Sequence, residues 1–170
     1  MENALSDLIE ECYYNDAKGL RKILDDHKDK YHSQHYLILI LKWLLQNIYG
    51  RQKGYQYPLL SEGLVRDKIE FCQDYLKAMD IIDPGLSHNR GRSLWELYSA
   101  QAFLLSQEFQ TQKISKNEFK IGIQNLLPSL DEIIRCLKYY PQGTLEYHVC
   151  QTASKALIRN KETLSFIDLM

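Results

Sequence analysis

Hydrophobic residues recur at helical spacing along almost the whole chain. Side chains three and four positions apart lie on one face of a helix, and apolar residues follow that spacing in six successive segments. No run of four to eight residues alternates between apolar and polar positions in the way that a half-buried strand does. The pattern therefore predicts an all-α chain of six or seven helices joined by short loops.

Turn-forming residues divide this pattern into individual helices. Asn15-Asp16 interrupts or restarts the first helix, Gly50 ends the second, and the DPG turn at 83–85 ends the third. Pro128 lies inside the fifth segment, where its missing N–H predicts a kink or a short break. Residues 161–170 are expected to form a tail or a final turn. The expected helices cover about 5–27, 33–49, 61–82, 87–109, 115–139 and 144–157.

Residues that cap helices precede four of these segments. Ser61, Ser87 and Thr144 each offer a hydroxyl oxygen to the free N–H groups of a helix start. Ser115 and Glu118 form the S-x-x-E capping box, in which hydroxyl and carboxylate each satisfy a backbone N–H group. These caps place the starts of the third to sixth helices.

The second helix indicates how the helices are arranged. Segment 36–48 is apolar on almost every side, which is typical of a helix at the centre of a domain. Short turns favour antiparallel hairpins, and Ala153 and Ala156 are small enough to admit a close helix neighbour. We expect residues 1–170 to form a single helical domain, in which hairpins stack as a tetratricopeptide-like superhelix or a compact bundle.

The charge balance excludes two classes of protein. The chain has 21 lysine and arginine residues against 22 aspartate and glutamate residues, which gives a formal net charge of −1. Neither a polycationic nucleic-acid binder nor an acidic tail protein has such a balance, so nucleic acid is not an expected partner. The longest apolar stretch, at 36–41, ends at Lys42 and is too short to span a bilayer. No membrane partner is therefore expected.

The cysteines and the N-terminus indicate a cytoplasmic or nuclear protein. Cys12, Cys72, Cys136 and Cys150 form no C-x-x-C motif, and each lies on or beside the apolar face of a predicted helix. Reduced and mostly buried thiols are the expected state. The first residues are not basic and lead into no apolar segment of the kind found in secretory signals.

The sequence contains no recognisable catalytic or cofactor motif. Neither a phosphate-binding loop nor a nucleotide fingerprint nor a G-x-S-x-G or H-E-x-x-H motif is present. His32 and His35 have the spacing of two metal ligands but no third ligand nearby, and a role at the helix start is favoured. Ser87 and His88 are adjacent in the chain and no acid is placed to orient the histidine. We expect no cofactor, no metal and no catalytic residue in this chain.

One basic segment is unusual for its position. Arg90, Arg92 and His88 occupy the first turns of the fourth helix, where anions rather than cations are normally favoured. Together with Arg51 and Lys53 in the loop at 50–58, they are candidates for binding an acidic peptide or a C-terminal carboxylate. The alternative is structural, with Arg90 or Arg92 paired to an acid of a neighbouring helix.

Six segments between about 35 and 157 follow one another in a distinctive order and spacing. They are HYL at 35–37 with the apolar helix to 49–50, KIEFC at 68–72, DPGLS at 83–87, RGRSLWELY at 90–98, ISKNEF at 114–119 and YPQGTLE at 140–146. Together these segments resemble the helical C-terminal region of SET-and-MYND-domain (SMYD) proteins, especially the arthropod-specific branch.

The resemblance implies a tetratricopeptide-like domain that packs against a SET protein-lysine methyltransferase core and helps to enclose its substrate cleft. In some family members this domain is implicated in chaperone contacts. The parent enzyme would use S-adenosylmethionine and zinc, but the SET core and the zinc-binding cysteines are missing from this chain. The chain is then an excised C-terminal domain or a shortened relative, and it is not itself an enzyme.

Two functional hypotheses follow from this reading. In the first, the domain binds a protein or an acidic or C-terminal peptide, and reversing the charges of Arg90 and Arg92 weakens binding without unfolding. In the second, the domain is a lid whose ligand is its own SET core. A free-standing helical adaptor remains an alternative to both.

Overall fold

In the computed structural model, which describes residues 16–169, the chain is all-helical. Residues 16–169 contain six α-helices and no β-strand, so the predicted all-α class is confirmed. The part of the first predicted helix that precedes Asp16, with Cys12, lies outside the described residues. The six α-helices are α1 (Ala17–His27), α2 (Tyr36–Ile48), α3 (Glu62–Ile82), α4 (His88–Gln110), α5 (Lys116–Leu137) and α6 (Leu145–Leu169), with one 3₁₀ turn at Tyr57–Leu59.

The chain divides between Ile81 and Ile82 into two compact units. The first contains α1, α2 and almost all of α3, and the second contains α4, α5 and α6. The expectation that residues 1–170 form a single helical domain stays a prediction, because the division into two compact units does not test it.

The predicted caps form the helix starts. Ser115 and Glu118 form the reciprocal capping box, in which Glu118 N donates to Ser115 Oγ at 3.2 Å and Ser115 N donates to Glu118 Oε2 at 2.7 Å. Ser87 Oγ accepts from Arg90 N at 3.3 Å, and Thr144 Oγ1 accepts from Tyr147 N at 3.2 Å. Each cap satisfies an N–H group that has no partner inside its helix.

The structure corrects two expectations about continuity. The helix α5 continues through Pro128, so the short break is absent, while the kink offered as the alternative stays a prediction. Pro128 and Gln124 both lie on the exposed face, where water can bind the carbonyl that lacks a donor. Residues 161–169 are not a tail but the last turns of α6. The segment contains neither glycine nor proline, and Asp168 forms an ion pair with Lys120 of α5.

The core of the first unit surrounds α2. Leu37, Leu41 and Leu45 are each 2% exposed or less, as expected of a helix that is apolar on nearly every side. Because Lys42 pairs with Asp74 and the end of α2 contacts the start of α3 through Lys68, the two helices are antiparallel. Nonpolar burial and this pairing together hold α2 against α3.

The Lys42–Asp74 pair predicts how the stability of the first unit depends on pH. Burial alone would raise the pKa of Asp74, but the hydrogen bond of 2.6 Å from Lys42 and the charges of Lys42 and Lys77 lower it below its ordinary value of 3.8. The stabilisation is complete above that value and is lost as the pH falls through the lower pKa of the folded state. We expect Asp74→Asn to lower the melting temperature at pH 7 and to make it less sensitive to acid.

Melting followed by circular dichroism between pH 7 and pH 2.5 measures this effect. Glu70→Gln, at an exposed position of the same helix, is the matched control and should melt in parallel with the wild type. A constant difference between Asp74→Asn and the wild type over the whole pH range would contradict the assignment.

The second unit is a three-helix arrangement with α5 in contact with both α4 and α6. The rings of Phe109 and Phe119 stack at 4.3 Å between the end of α4 and the start of α5, so these helices are antiparallel. Lys120 near the start of α5 pairs with Asp168 near the end of α6, so this second pair is antiparallel as well. Since α4 and α6 approach each other at few positions, a space remains between them above α5.

Candidate functional site

The predicted basic residues belong to different units. His88, Arg90 and Arg92 lie in the first turns of α4 in the second unit, whereas Arg51 and Lys53 lie in the loop after α2 in the first unit. Arg51, Lys53 and His88 are exposed, and the His88 ring lies edge-on to Tyr140 at 6.3 Å between centroids. Nothing in either unit by itself brings all five side chains into one site.

Both arginines of α4 face carboxylates of neighbouring helices. Arg90 Nε donates to Glu132 Oε1 of α5 at 2.6 Å, and the two side chains are 19% and 33% exposed. Arg92 Nη1 lies 4.0 Å from Glu146 Oε1 of α6. These contacts favour the structural alternative for Arg90 and Arg92. Reversing the charges of Arg90 and Arg92 would also disturb helix packing. A loss of binding in that variant would therefore not by itself show that these residues contact a partner.

A groove in the second unit is the strongest candidate site. It lies between α4 and α6 over α5 and has a volume of about 500 Å³. Most of its floor and walls are apolar, and hydroxyl, amide and cationic groups surround them. Its lining residues are Tyr98, Ala102, Leu105, Ser106, Phe119, Ile123, Leu126, Thr152, Lys155, Ala156, Arg159, Asn160 and Thr163.

A hydrogen bond joins the two walls of the groove. Asn160 Nδ2 of α6 donates to the hydroxyl of Tyr98 of α4 at 3.2 Å. Burial raises the pKa of Tyr98 above its ordinary value of 10, and the hydrogen bond from Asn160 only partly opposes that effect. The phenol therefore keeps its proton at neutral pH and can donate it to an acceptor in the groove.

The charge of the groove is positive. Lys155 and Arg159 lie one helical turn apart on α6, and no carboxylate is among the described residues that line the groove. Within residues 16–168, neither side chain makes an ion pair or a side-chain hydrogen bond, whereas Arg90 and Lys120 of the same unit each bind a carboxylate. The groove thus offers cations whose counter-charge the described chain does not supply.

The described residues offer no metal site and no activated thiol. No group of three histidine, cysteine or acidic side chains in this part of the chain could hold a metal ion. His35 instead caps α2, with its Nδ1 accepting from Leu37 N at 3.4 Å. Cys136 and Cys150 are buried, and that burial raises the pKa of both thiols, which disfavours the reactive thiolate.

Sequence reasoning did not find this groove. The spacing of Lys155 and Arg159 was visible as an i, i+4 pair of cations, but only with α6 continuing past residue 157 does Arg159 lie on a helical wall. Ala153 is fully buried, as its size suggested, whereas Ala156 lines the groove. The site was missed because its three walls come from helices far apart in the sequence.

Comparison with known proteins identifies no relative. No protein family, no curated protein and no solved structure matches the chain. No helix in the described part of the chain is both long and apolar enough to cross a membrane. The resemblance to SMYD proteins stays a prediction.

Proposed function

We propose that this chain is a non-catalytic protein-interaction domain that binds a segment of a partner protein in the groove between α4 and α6. The observation that carries the proposal is the combination of a groove of about 500 Å³, an apolar floor and two cations on one wall that have no acidic partner within residues 16–168. Concave sites of this size with a few convergent polar groups are the usual binding sites of proteins.

The chemistry of the lining residues favours binding over catalysis. Leu105, Ile123 and Leu126 provide apolar surface, while Tyr98 and Ser106 provide hydroxyl groups. Histidine, cysteine and carboxylate side chains are missing from the described lining, so neither a histidine nor a carboxylate base accompanies these hydroxyls there. The groove can hold a ligand through shape, hydrogen bonds and charge.

The SMYD resemblance extends the proposal in one direction. On that reading the domain would help to enclose the substrate cleft of a protein-lysine methyltransferase that uses S-adenosylmethionine and zinc, in the cytoplasm or the nucleus. The alternative is a free-standing adaptor for acidic or C-terminal peptides. The coding sequence upstream of residue 1 separates the two, because only the first requires a SET segment there.

Peptide selection against the full chain tests the function. We expect selection from a random peptide library to yield binders that lose at least ten-fold in affinity when the groove is filled by Ala156→Trp or, from the opposite wall, by Ala102→Trp. Both positions line the groove, so an indole there occupies ligand space. Two variants are used because either one can disturb helix packing, and circular dichroism shows which remains folded.

The matched control is Gln151→Trp, which adds the same side chain at an exposed position of α6 outside the groove. It should bind the selected peptides as the wild type does. If selection yields no binder, or if binders keep their affinity for a folded groove-filled variant, the proposed function is wrong.

A further inference from the structure

We propose that the groove selects an internal acidic segment of its partner, with carboxylate side chains bound by Lys155 and Arg159 and alternating apolar side chains packed on α5. The inference rests on the proposed function and names the chemistry of the ligand. It follows from the charge, the dimensions and the floor of the groove.

The positive charge beside the groove favours an acidic ligand. The field of charges with one sign is concentrated in a cleft with low-dielectric walls, so two cations beside an apolar groove attract anions more strongly than cations on a convex surface do. Lys155 and Arg159 lie in that position, and within residues 16–168 neither has an acidic partner. A partner segment with carboxylates would supply the missing charge.

Arg159 and Lys155 can each bind a carboxylate, but in different ways. The guanidinium of Arg159 can donate two parallel hydrogen bonds to one carboxylate, while the ammonium of Lys155 acts as a compact charge for a second. Both side chains are exposed at the rim of the groove, so carboxylates that point away from the floor can reach them.

The floor of the groove offers apolar surface to alternate side chains of an extended peptide. Ile123 and Leu126 of α5 are buried beneath the groove, and Leu105 of α4 is half-buried beside them. In an extended peptide successive side chains point to opposite sides. Apolar residues at alternate positions would then pack on this floor while the acidic residues between them face the rim.

The length of the groove along α6 sets the length of the peptide that fits in it. On α6 the lining runs from Thr152 to Thr163, a distance of about 16 Å at the helical rise per residue. That distance matches about five residues of extended peptide. Lys155 and Arg159 lie inside this span with lining residues on both sides, so the bound acidic residues belong to a segment that continues in both directions.

Doubly blocked peptides test the inference with the full chain. The probe is fluorescein-labelled Val-Glu-Val-Glu-Val with its C-terminus amidated, and the comparison peptides replace both glutamates by glutamine or by lysine. By fluorescence polarisation we expect the glutamate peptide to bind at least ten-fold more tightly than the glutamine peptide at low salt. The difference should shrink at 0.5 M NaCl because salt screens charge.

Charge reversal supplies the structural control. Lys155→Glu/Arg159→Glu should lose the glutamate peptide and bind the lysine peptide instead. Lys116→Glu/Lys161→Glu makes the same change in net charge at exposed positions outside the groove and should leave binding unchanged. An equal loss in both double variants would mean a non-specific charge effect and would overturn the inference.

The remaining outcomes separate the inference from the proposed function. Equal binding of the glutamate and glutamine peptides would overturn the acidic selectivity and leave the peptide-binding function standing. Binding that requires a free C-terminal carboxylate would overturn the internal segment in favour of terminal recognition. If neither blocked peptide binds while library selection yields groove-dependent binders of another composition, the inference fails alone. If selection yields none, the proposed function fails as well.

Discussion

Replacing Lys68 by alanine is expected to lower the free energy of unfolding by about 2–5 kcal/mol, the range for removing a large buried side chain. The Lys68 side chain is 0% exposed. Its Nζ donates to the carbonyl oxygen of Tyr49 at 2.5 Å and lies 5.3 Å from the centre of the Tyr57 ring. The substitution removes the aliphatic stem from the core and takes a donor from a carbonyl at the end of α2.

Two further variants separate these contributions. Lys68→Met keeps most of the stem but removes the ammonium, so its loss should be smaller than that of Lys68→Ala. Lys77→Ala, at a position of α3 where the side chain is 66% exposed, should change stability by no more than about 0.5 kcal/mol. Urea unfolding followed by circular dichroism measures all three. Equal effects for Lys68→Ala and Lys77→Ala would contradict the structural role of Lys68.

Replacing Gly91 by alanine is expected to have the second large effect and to lower the free energy of unfolding by about 1–3 kcal/mol. Alanine is normally favoured over glycine inside a helix by about 1 kcal/mol. At Gly91, however, a Cβ atom would lie 2.7 Å from Leu137 and 2.8 Å from the Cβ of Cys136. Because α4 and α5 meet closely at this point, steric repulsion exceeds the gain in helix propensity.

Gly63 is the matched control for Gly91. It also lies in a helix, but the nearest atom to an added Cβ is Ser61 Oγ at 4.0 Å, so Gly63→Ala should be neutral or stabilising. Leu137→Ala should make Gly91→Ala less costly but not neutral, because it removes the Leu137 atoms that the new methyl group would meet and leaves the Cβ of Cys136 in place. A double-mutant cycle by urea unfolding measures this coupling. The same sign for Gly63→Ala and Gly91→Ala, or no coupling, would show that the close approach is not decisive.

The helices and their caps could be predicted because the interactions behind them are local. A hydroxyl accepts from an N–H group three residues away, as at Ser87, Ser115 and Thr144, and all these groups are adjacent in the sequence. The limit of this reasoning lies at 161–169, where a tail or a final turn was expected and α6 instead continues to residue 169. That segment has no strong stop signal, and its contact with α5 through Lys120 and Asp168 joins residues 48 positions apart.

The candidate site could not be predicted, because the contacts that form it join residues far apart in the sequence. The sequence offered two roles for Arg90 and could not choose between them, because the deciding partner, Glu132, lies 42 positions away. The groove depends on contacts at still longer range, since Asn160 and Tyr98 are 62 positions apart. Until α4 and α6 pack on α5, Lys155 and Arg159 are two charges on a helix surface.

The amino-acid sequence by itself determined the helical class, the helix starts and the apolar faces, because hydrophobic periodicity and capping act between residues a few positions apart. Only the tertiary structure decided which charges are neutralised within the protein and which face a groove. Opposite charges from distant helices interact through space, so packing brings Arg90 to Glu132 and leaves Lys155 and Arg159 beside an apolar floor.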